Sequence, residues 1–168
     1  CRVCMRTKPI TKHARRRDPN HYEQAFSFGD LILADHLIIG SESGEGINME
    51  RADVIMWDAA TGACYFEATL TKNAVETQLA LINFVGSRSV VRFYTDCSEE
   101  LKKSANELRW VHDTSTPHRK QSHGRIEAML RVVEDGTRAA LYQGGCRHHW
   151  WPFAGTFYSL ARTFFHLD

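Results

Sequence analysis

The sequence predicts an α/β domain: a mixed five-stranded sheet flanked by helices, with elements in the order βββαβαβαα. Three observations predict it. Residues 31–69 hold three β-rich apolar runs broken by glycine-containing turns. A capped amphipathic helix separates the third run from a fourth. Two longer helical patterns then close the chain, the first stopped by Gly144-Gly145.

The runs are Leu31 to Ile39, Ala52 to Trp57 and Ala63 to Thr69, joined by Ser41-Glu42-Ser43-Gly44-Glu45-Gly46 and by Thr61-Gly62, which reads as an antiparallel meander. Asn73 can cap the next helix with Glu76 completing a capping box, and Val75, Leu79 and Ile82 share a face up to Gly86. Because a helix intervenes, the fourth strand, Val90 to Tyr94, can lie parallel beside the first. Ser98 can cap a short helix with Leu101 and Ala105 inward, and Leu108 to His112 is a short fifth strand. From about Ser122 a long helix turns Ile126, Leu130, Val133 and Leu141 to the core. The final helix carries Phe153, Phe157, Leu160 and Phe164 at four-three-four spacing, with His148 and His149 in a polar loop before it.

At 168 residues and 43% hydrophobic content, one domain with a substantial core is the expectation, spanning residues 25–168. Residues 1–24 are polar and basic, with Lys8, Lys12, Arg15, Arg16 and Arg17, and read as a linker. The net charge of +1 advertises no global affinity for nucleic acid, so any such contact is local. Five cysteines without dense spacing point to reduced thiols in an intracellular setting. No run of about 18 apolar residues is present to support a membrane span. The chain opens on Cys1 rather than Met, which reads as a piece of a longer polypeptide.

Three acids stand in contexts suited to a site. Asp35 interrupts the apolar run of the first strand, Asp96 ends Val90-Val91-Arg92-Phe93-Tyr94-Thr95, and Glu127 follows Gln121-Ser122-His123-Gly124-Arg125-Ile126. A carboxylate inside a buried strand is costly unless something pairs with it, which points to a metal. Each has a plainer reading: Asp35 as an edge-strand or turn acid, Asp96 as a strand-end or helix-cap acid, and Glu127 as the i,i+4 partner of Arg131 on a solvated face, like Glu134 with Arg138. Asp30, Asp53 and Asp58 are less attractive because they fall nearer strand ends or turns. Cys97 beside Asp96 has no base near it in sequence and reads as a small filler. Cys1-x-x-Cys4 is half of a zinc ligand set; the remaining ligands lie upstream, unless His13, His21 or the Cys146-Arg147-His148-His149 cluster supplies them.

On these residues the chain resembles the catalytic core of the retroviral and retrotransposon integrases, DDE polynucleotidyl transferases of the ribonuclease-H-like superfamily. Asp35 matches the family's first acid. Asp96-Cys97-Ser98-Glu99-Glu100-Leu101 matches the segment of its second, with Cys97 and Ser98 where the family has Asn-Gly, and Glu127 matches its third. Cys1-x-x-Cys4 is similar to the end of the family's zinc module, and Trp150-Trp151-Pro152-Phe153-Ala154 to the segment opening its last core helix. The resemblance implies a ribonuclease-H-like fold and processing of DNA ends followed by their joining to target DNA. It further implies two Mg²⁺ (or Mn²⁺) ions held by Asp35, Asp96 and Glu127, with Asp35 bridging, and Zn²⁺ only in the full-length protein. Two-metal chemistry suits phosphodiester transfer because paired ions steady both the attacking and the leaving oxygen, and Mg²⁺ is a hard ion suited to carboxylates. Partners would be element-end and target DNA and further copies of the chain in a homo-oligomer, with no membrane. The location would be the nucleus or an intracellular element particle. His118, Arg119, Lys120, His123 and Arg125 are candidates for phosphate contact, since indifference to target sequence calls for backbone contacts. A nuclease without joining activity, and a degenerate domain that only binds nucleic acid or a protein, remain alternatives.

Overall fold

A computed structural model describes residues 25–38, 44–96, 98–113 and 126–165 in full, and the backbone alone at 114 and 120–125. The strands are β1 (Ile32–Ile38), β2 (Ala52–Asp58), β3 (Cys64–Thr69), β4 (Phe93–Thr95) and β5 (His112–Thr114). The helices are α1 (Ala74–Val85), α2 (Glu99–Glu107), α3 (Lys120–Gly144) and α4 (Trp151–Phe165). The sheet order is β3-β2-β1-β4-β5. β1 to β3 form the expected antiparallel meander, while β4 lies parallel to β1 and β5 parallel to β4. The linker at 1–24, with Cys1 and Cys4, lies outside the described residues.

Alternation along the strands divides the core in two. Ile32, Ala34, Val54, Met56 and Phe93 pack against Ala80 and Leu81 of α1 and Leu101 and Ala105 of α2. On the opposite face Leu33, Ile55, Cys64 and Phe66 meet Ile126, Met129 and Val133 of α3 and Trp151 of α4. The sheet is therefore sandwiched between helix pairs, burying both faces of β1 and β2. α4 also guards the β3 edge: the Thr163 hydroxyl accepts from the Cys64 backbone N–H at 2.9 Å and lies 3.0 Å from the Cys64 carbonyl.

Local chemistry sets the element ends. Asn73 Oδ1 accepts from the backbone N–H groups of Val75 (3.0 Å) and Glu76 (2.9 Å), so the expected N-cap forms. The capping box does not close as expected, because the Glu76 carboxylate turns back to the Thr71 N–H at 3.1 Å. The fifth strand starts four residues later than expected: Leu108 and Arg109 instead form the turn leaving α2, with Arg109 at φ 57. The fourth strand likewise begins at Phe93 rather than Val90, and α3 begins at Lys120 rather than Ser122. His148 and His149 fall in a single 3₁₀ turn, His148–Trp150.

Two helix faces differ from the sequence expectation. Val75, Leu79 and Ile82 are exposed, and α1 instead packs through Thr77, Ala80, Leu81 and Val85. Small residues let the helix approach the sheet closely. On α4, Phe153, Phe157, Leu160 and Phe164 also face outward, while Trp151, Pro152, Gly155 and Ser159 are buried.

Gly155 makes one such close approach. A Cβ there would lie 2.5 to 2.8 Å from atoms of the Phe66 ring, which is itself only 4% exposed and closed in by Trp151. Gly155→Val is expected to lower stability by about 1–3 kcal/mol, the usual cost of forcing extra methyl groups into a packed core. Urea unfolding checks it, and an unchanged midpoint would mean that α4 does not dock on β3 in this way.

Candidate active site

β1 and β4 are parallel neighbours with Ala34 opposite Thr95, so Asp35 and Asp96 are the next residues on adjacent chains. Adjacent strands lie about 4.8 Å apart, which puts the two backbones of this pair within one strand spacing. Leu33 and Tyr94, two residues before each acid, both pack on the α3 face of the sheet, so the alternation of β1 places Asp35 on that face. Both acids are half-buried.

Each carboxyl group already has a local contact. Asp35 Oδ1 accepts from the His36 backbone N–H at 2.7 Å. Asp96 Oδ1 accepts from the Ser98 N–H at 2.9 Å, tying the strand end to the first turn of α2. Ser98 occupies the cap position, but its hydroxyl donates to the Glu100 carboxylate at 2.7 Å and accepts no hydrogen bond from the helix N–H groups. Lys72 meets the same Glu100 carboxylate at 3.4 Å. The Ser98 hydroxyl is the main reason that the Glu100 carboxyl titrates below its ordinary value.

Two neutral histidines flank the pair through the same device. The Thr77 hydroxyl donates to the Asn73 carbonyl at 2.7 Å, so it must accept from His36 Nε2–H at 2.9 Å. That leaves His36 Nδ1 as a bare acceptor, buried without a hydrogen-bond partner. The Thr95 hydroxyl likewise donates to the Asp96 carbonyl at 2.7 Å and accepts from His112 Nε2–H at 2.8 Å. Burial pushes the His36 imidazole down to about 4, helped by Lys72 and opposed by Glu100 and Asp96. His112 is shifted down as well, chiefly by burial.

Glu127 lies on α3. Ile126, Met129 and Val133 are buried against the sheet, and Glu127 stands one step around the helix from Ile126, exposed. Glu134, seven residues on, lies on the same flank about 10 Å further along the axis. The charges of Glu134 and Asp35 both act on Asp53 of β2, so this flank of α3 runs beside the sheet face that carries Asp35. Among the described residues no three His, Cys, Asp or Glu side chains are gathered closely enough to hold a metal ion. Asp35 and Asp96 are thus paired by register, and Glu127 does not close a three-acid cluster with them. Repulsion among three like charges gives it no reason to do so by itself. The donor chemistry nevertheless suits a hard divalent cation, with carboxylate oxygens from mid-β1 and from the end of β4 and a third carboxylate on α3.

The remaining sequence candidates divide by position. His118 and Arg119 lie outside the described residues; Lys120, His123 and Arg125 fall in the first turns of α3, where only the backbone is described. Asp30 and Asp58 serve turns, as expected: Asp30 accepts from the Phe26 and Ser27 N–H groups, and Asp58 from those of Gly29 and Thr61. Asp53 stands near a strand end, as expected, being second in β2, and is 1% exposed. His36, Thr77 and Lys72 were not singled out in the sequence, since nothing in their spacing ties them to Asp35.

No family model matches the chain, and no curated protein matches it. Solved structures do. The catalytic core domain of BIV integrase matches with a TM-score of 0.55 at 16% identity, covering 79% of this chain and 82% of that one. A chain of the simian T-cell lymphotropic virus intasome, in complex with PP2A regulatory subunit B56 gamma, matches with a TM-score of 0.62 at 16% identity. That match covers all of this chain, which spans 58% of the longer one.

Proposed function

We propose that this chain, which has the integrase catalytic-core fold, is the core of a retrotransposon-type integrase: a metal-dependent polynucleotidyl transferase that processes DNA ends and joins them to target DNA. The observation that carries the reading is the parallel register, Ala34 opposite Thr95, that brings Asp35 in the middle of β1 beside Asp96, the residue just after β4. Asp35, Asp96 and Glu127 would hold two Mg²⁺ or Mn²⁺ ions. When bound, such ions stabilise the charge on the attacking and leaving oxygens of the phosphodiester. The chain's own part is to fix the carboxylates: the His36 and Ser98 N–H groups orient Asp35 and Asp96. The neutral imidazoles of His36 and His112 add no positive charge to compete for them.

DNA would be held through its phosphates, with Lys120, His123 and Arg125 on the turns of α3 that lead to Glu127. Homo-oligomerisation is supported by the two outward apolar faces, Val75, Leu79 and Ile82 on α1 and Phe153, Phe157, Leu160 and Phe164 on α4. No described helix is long and apolar enough to cross a membrane. A nuclear or element-particle location follows from the same reading.

A second reading, a nucleic-acid-binding domain that no longer cuts, is favoured by the exposed position of Glu127 and the lack of a three-member cluster among the described residues. Incubating the chain with a DNA-end substrate and plasmid target in Mn²⁺ separates the two. The integrase reading expects joined products, lost in Asp35→Asn and Asp96→Asn; cleavage without joining identifies a nuclease. DNA binding with neither activity leaves only the second reading.

A further inference from the structure

A pocket lies between the sheet and the C-terminal half of α3. It is a cavity of about 380 Å³, within the range of small-molecule sites, walled by Leu37, Ile55, Phe66, Val133, Leu141 and Trp151. The Trp151 indole N–H is fixed on the Gly44 carbonyl at 3.0 Å and its ring stands edge-on to Phe66, so the aromatic wall is rigid. At this wall sits Asp53, 1% exposed, with Oδ1 lacking any hydrogen-bond partner. The nearest lining cation, Arg138, is already engaged by Glu134 at 3.2 Å and by Asp135 at 3.0 Å. The wall therefore offers an aromatic-sized apolar volume with an uncompensated carboxyl group inside it.

We propose that this cavity binds a small aromatic amine, its ring against Trp151 and Phe66 and its ammonium group on Asp53. A neutral apolar molecule would leave Asp53 Oδ1 unsatisfied, and a carboxylate would be repelled by Glu134 and would bring no donor for Oδ1. An ammonium group supplies both the missing donor and the missing counter-charge. Burial holds the Asp53 carboxyl well above its ordinary range; the Leu37 backbone N–H opposes this, and the Glu134 and Asp35 charges add to it. A bound cation reverses that balance, so Asp53 gives up its proton to solvent on binding and affinity rises with pH. The other titratable lining residues are Glu134, Arg138 and His148; Arg138 is held by Glu134 and Asp135, and no hydrogen bond joins Arg138 or His148 to Asp53 Oδ1.

Calorimetry on the whole chain with tryptamine, 3-ethylindole and indole-3-propionate tests this, since the three share a ring and differ in charge. Expected are saturable one-to-one binding of tryptamine, about tenfold tighter than 3-ethylindole, still weaker binding of the propionate, and proton release that varies with the buffer's ionisation enthalpy. Asp53→Asn should erase both the tenfold preference and the proton release while keeping the ring affinity. Leu141→Trp, checked for folding by its circular dichroism, should fill the cavity and abolish binding of all three. Absence of saturable tryptamine binding at millimolar concentration, or a preference that survives Asp53→Asn, overturns the proposal.

Discussion

Glu127→Gln is expected to leave folding intact or slightly improved while divalent-dependent cleavage of a DNA-end substrate falls by orders of magnitude. The asymmetry follows from charge. Glu127 is exposed on α3, and if it joins Asp35 and Asp96 around an ion, removing its negative charge relieves repulsion in the ion-free chain. The amide keeps the size of the side chain but loses the anionic oxygens that a hard divalent cation selects. If Glu127 instead only pairs with Arg131 on a solvated helix face, the same change costs at most a few tenths of a kcal/mol and does not touch activity. Cleavage measured in Mg²⁺ and in Mn²⁺, beside the urea midpoint of each protein, separates the two outcomes. Full activity of the Gln variant removes Glu127 from the site.

The second large effect is expected in acid. His36 titrates near 6.5 in an unfolded chain and is pushed down to about 4 in the fold, where its Nδ1 is buried without a partner. Its folded pKa is thus depressed: the unfolded chain takes up the proton first as pH falls. The stability present above pH 6.5 is therefore lost between about 6.5 and about 4. A shift of that size corresponds to roughly 3 kcal/mol at the acid end of the window. His112 adds to the loss in the same direction, whereas Asp53, whose folded pKa is raised, acts in the opposite one. His36→Gln isolates the effect, because the difference between wild type and variant cancels the other groups. The variant's stability should decline much less between pH 6.5 and 4; parallel curves would show that His36 does not sit buried and neutral beside Asp35.

Much of this arrangement could be read from the chain before any coordinates. The β1 to β3 runs were legible because each is apolar and closed by glycine turns, and the parallel placement of β4 followed from the helix between. That placement put Asp96 beside Asp35. What periodicity could not tell is which neighbour a face meets. Val75, Leu79 and Ile82 form a real apolar stripe on α1, yet the sheet takes the side carrying Thr77 and Ala80. Close approach favours small residues there, and Thr77 is needed to receive the His36 proton. Asp53 sits near the start of a strand, as its place in the sequence suggests, but its burial could not be read there. β2 is covered on both faces, so Ala52 to Met56 are all buried and the alternation that would mark a solvent-facing acid is missing. The late start of β5 traces to the left-handed turn at Arg109, a conformation that nothing in Leu108-Arg109-Trp110 announces.

The central claim is that Asp35, Asp96 and Glu127 form one divalent-ion site although Glu127 is exposed and the three are not gathered without an ion. Manganese binding, followed by loss of the free-ion electron paramagnetic resonance signal, tests it without relying on activity. The account predicts saturable binding by the wild-type chain, lost in Asp35→Asn and weakened in both Asp96→Asn and Glu127→Gln. Binding that is absent from the wild type, or unchanged in the Asp35→Asn, Asp96→Asn double variant, would contradict it.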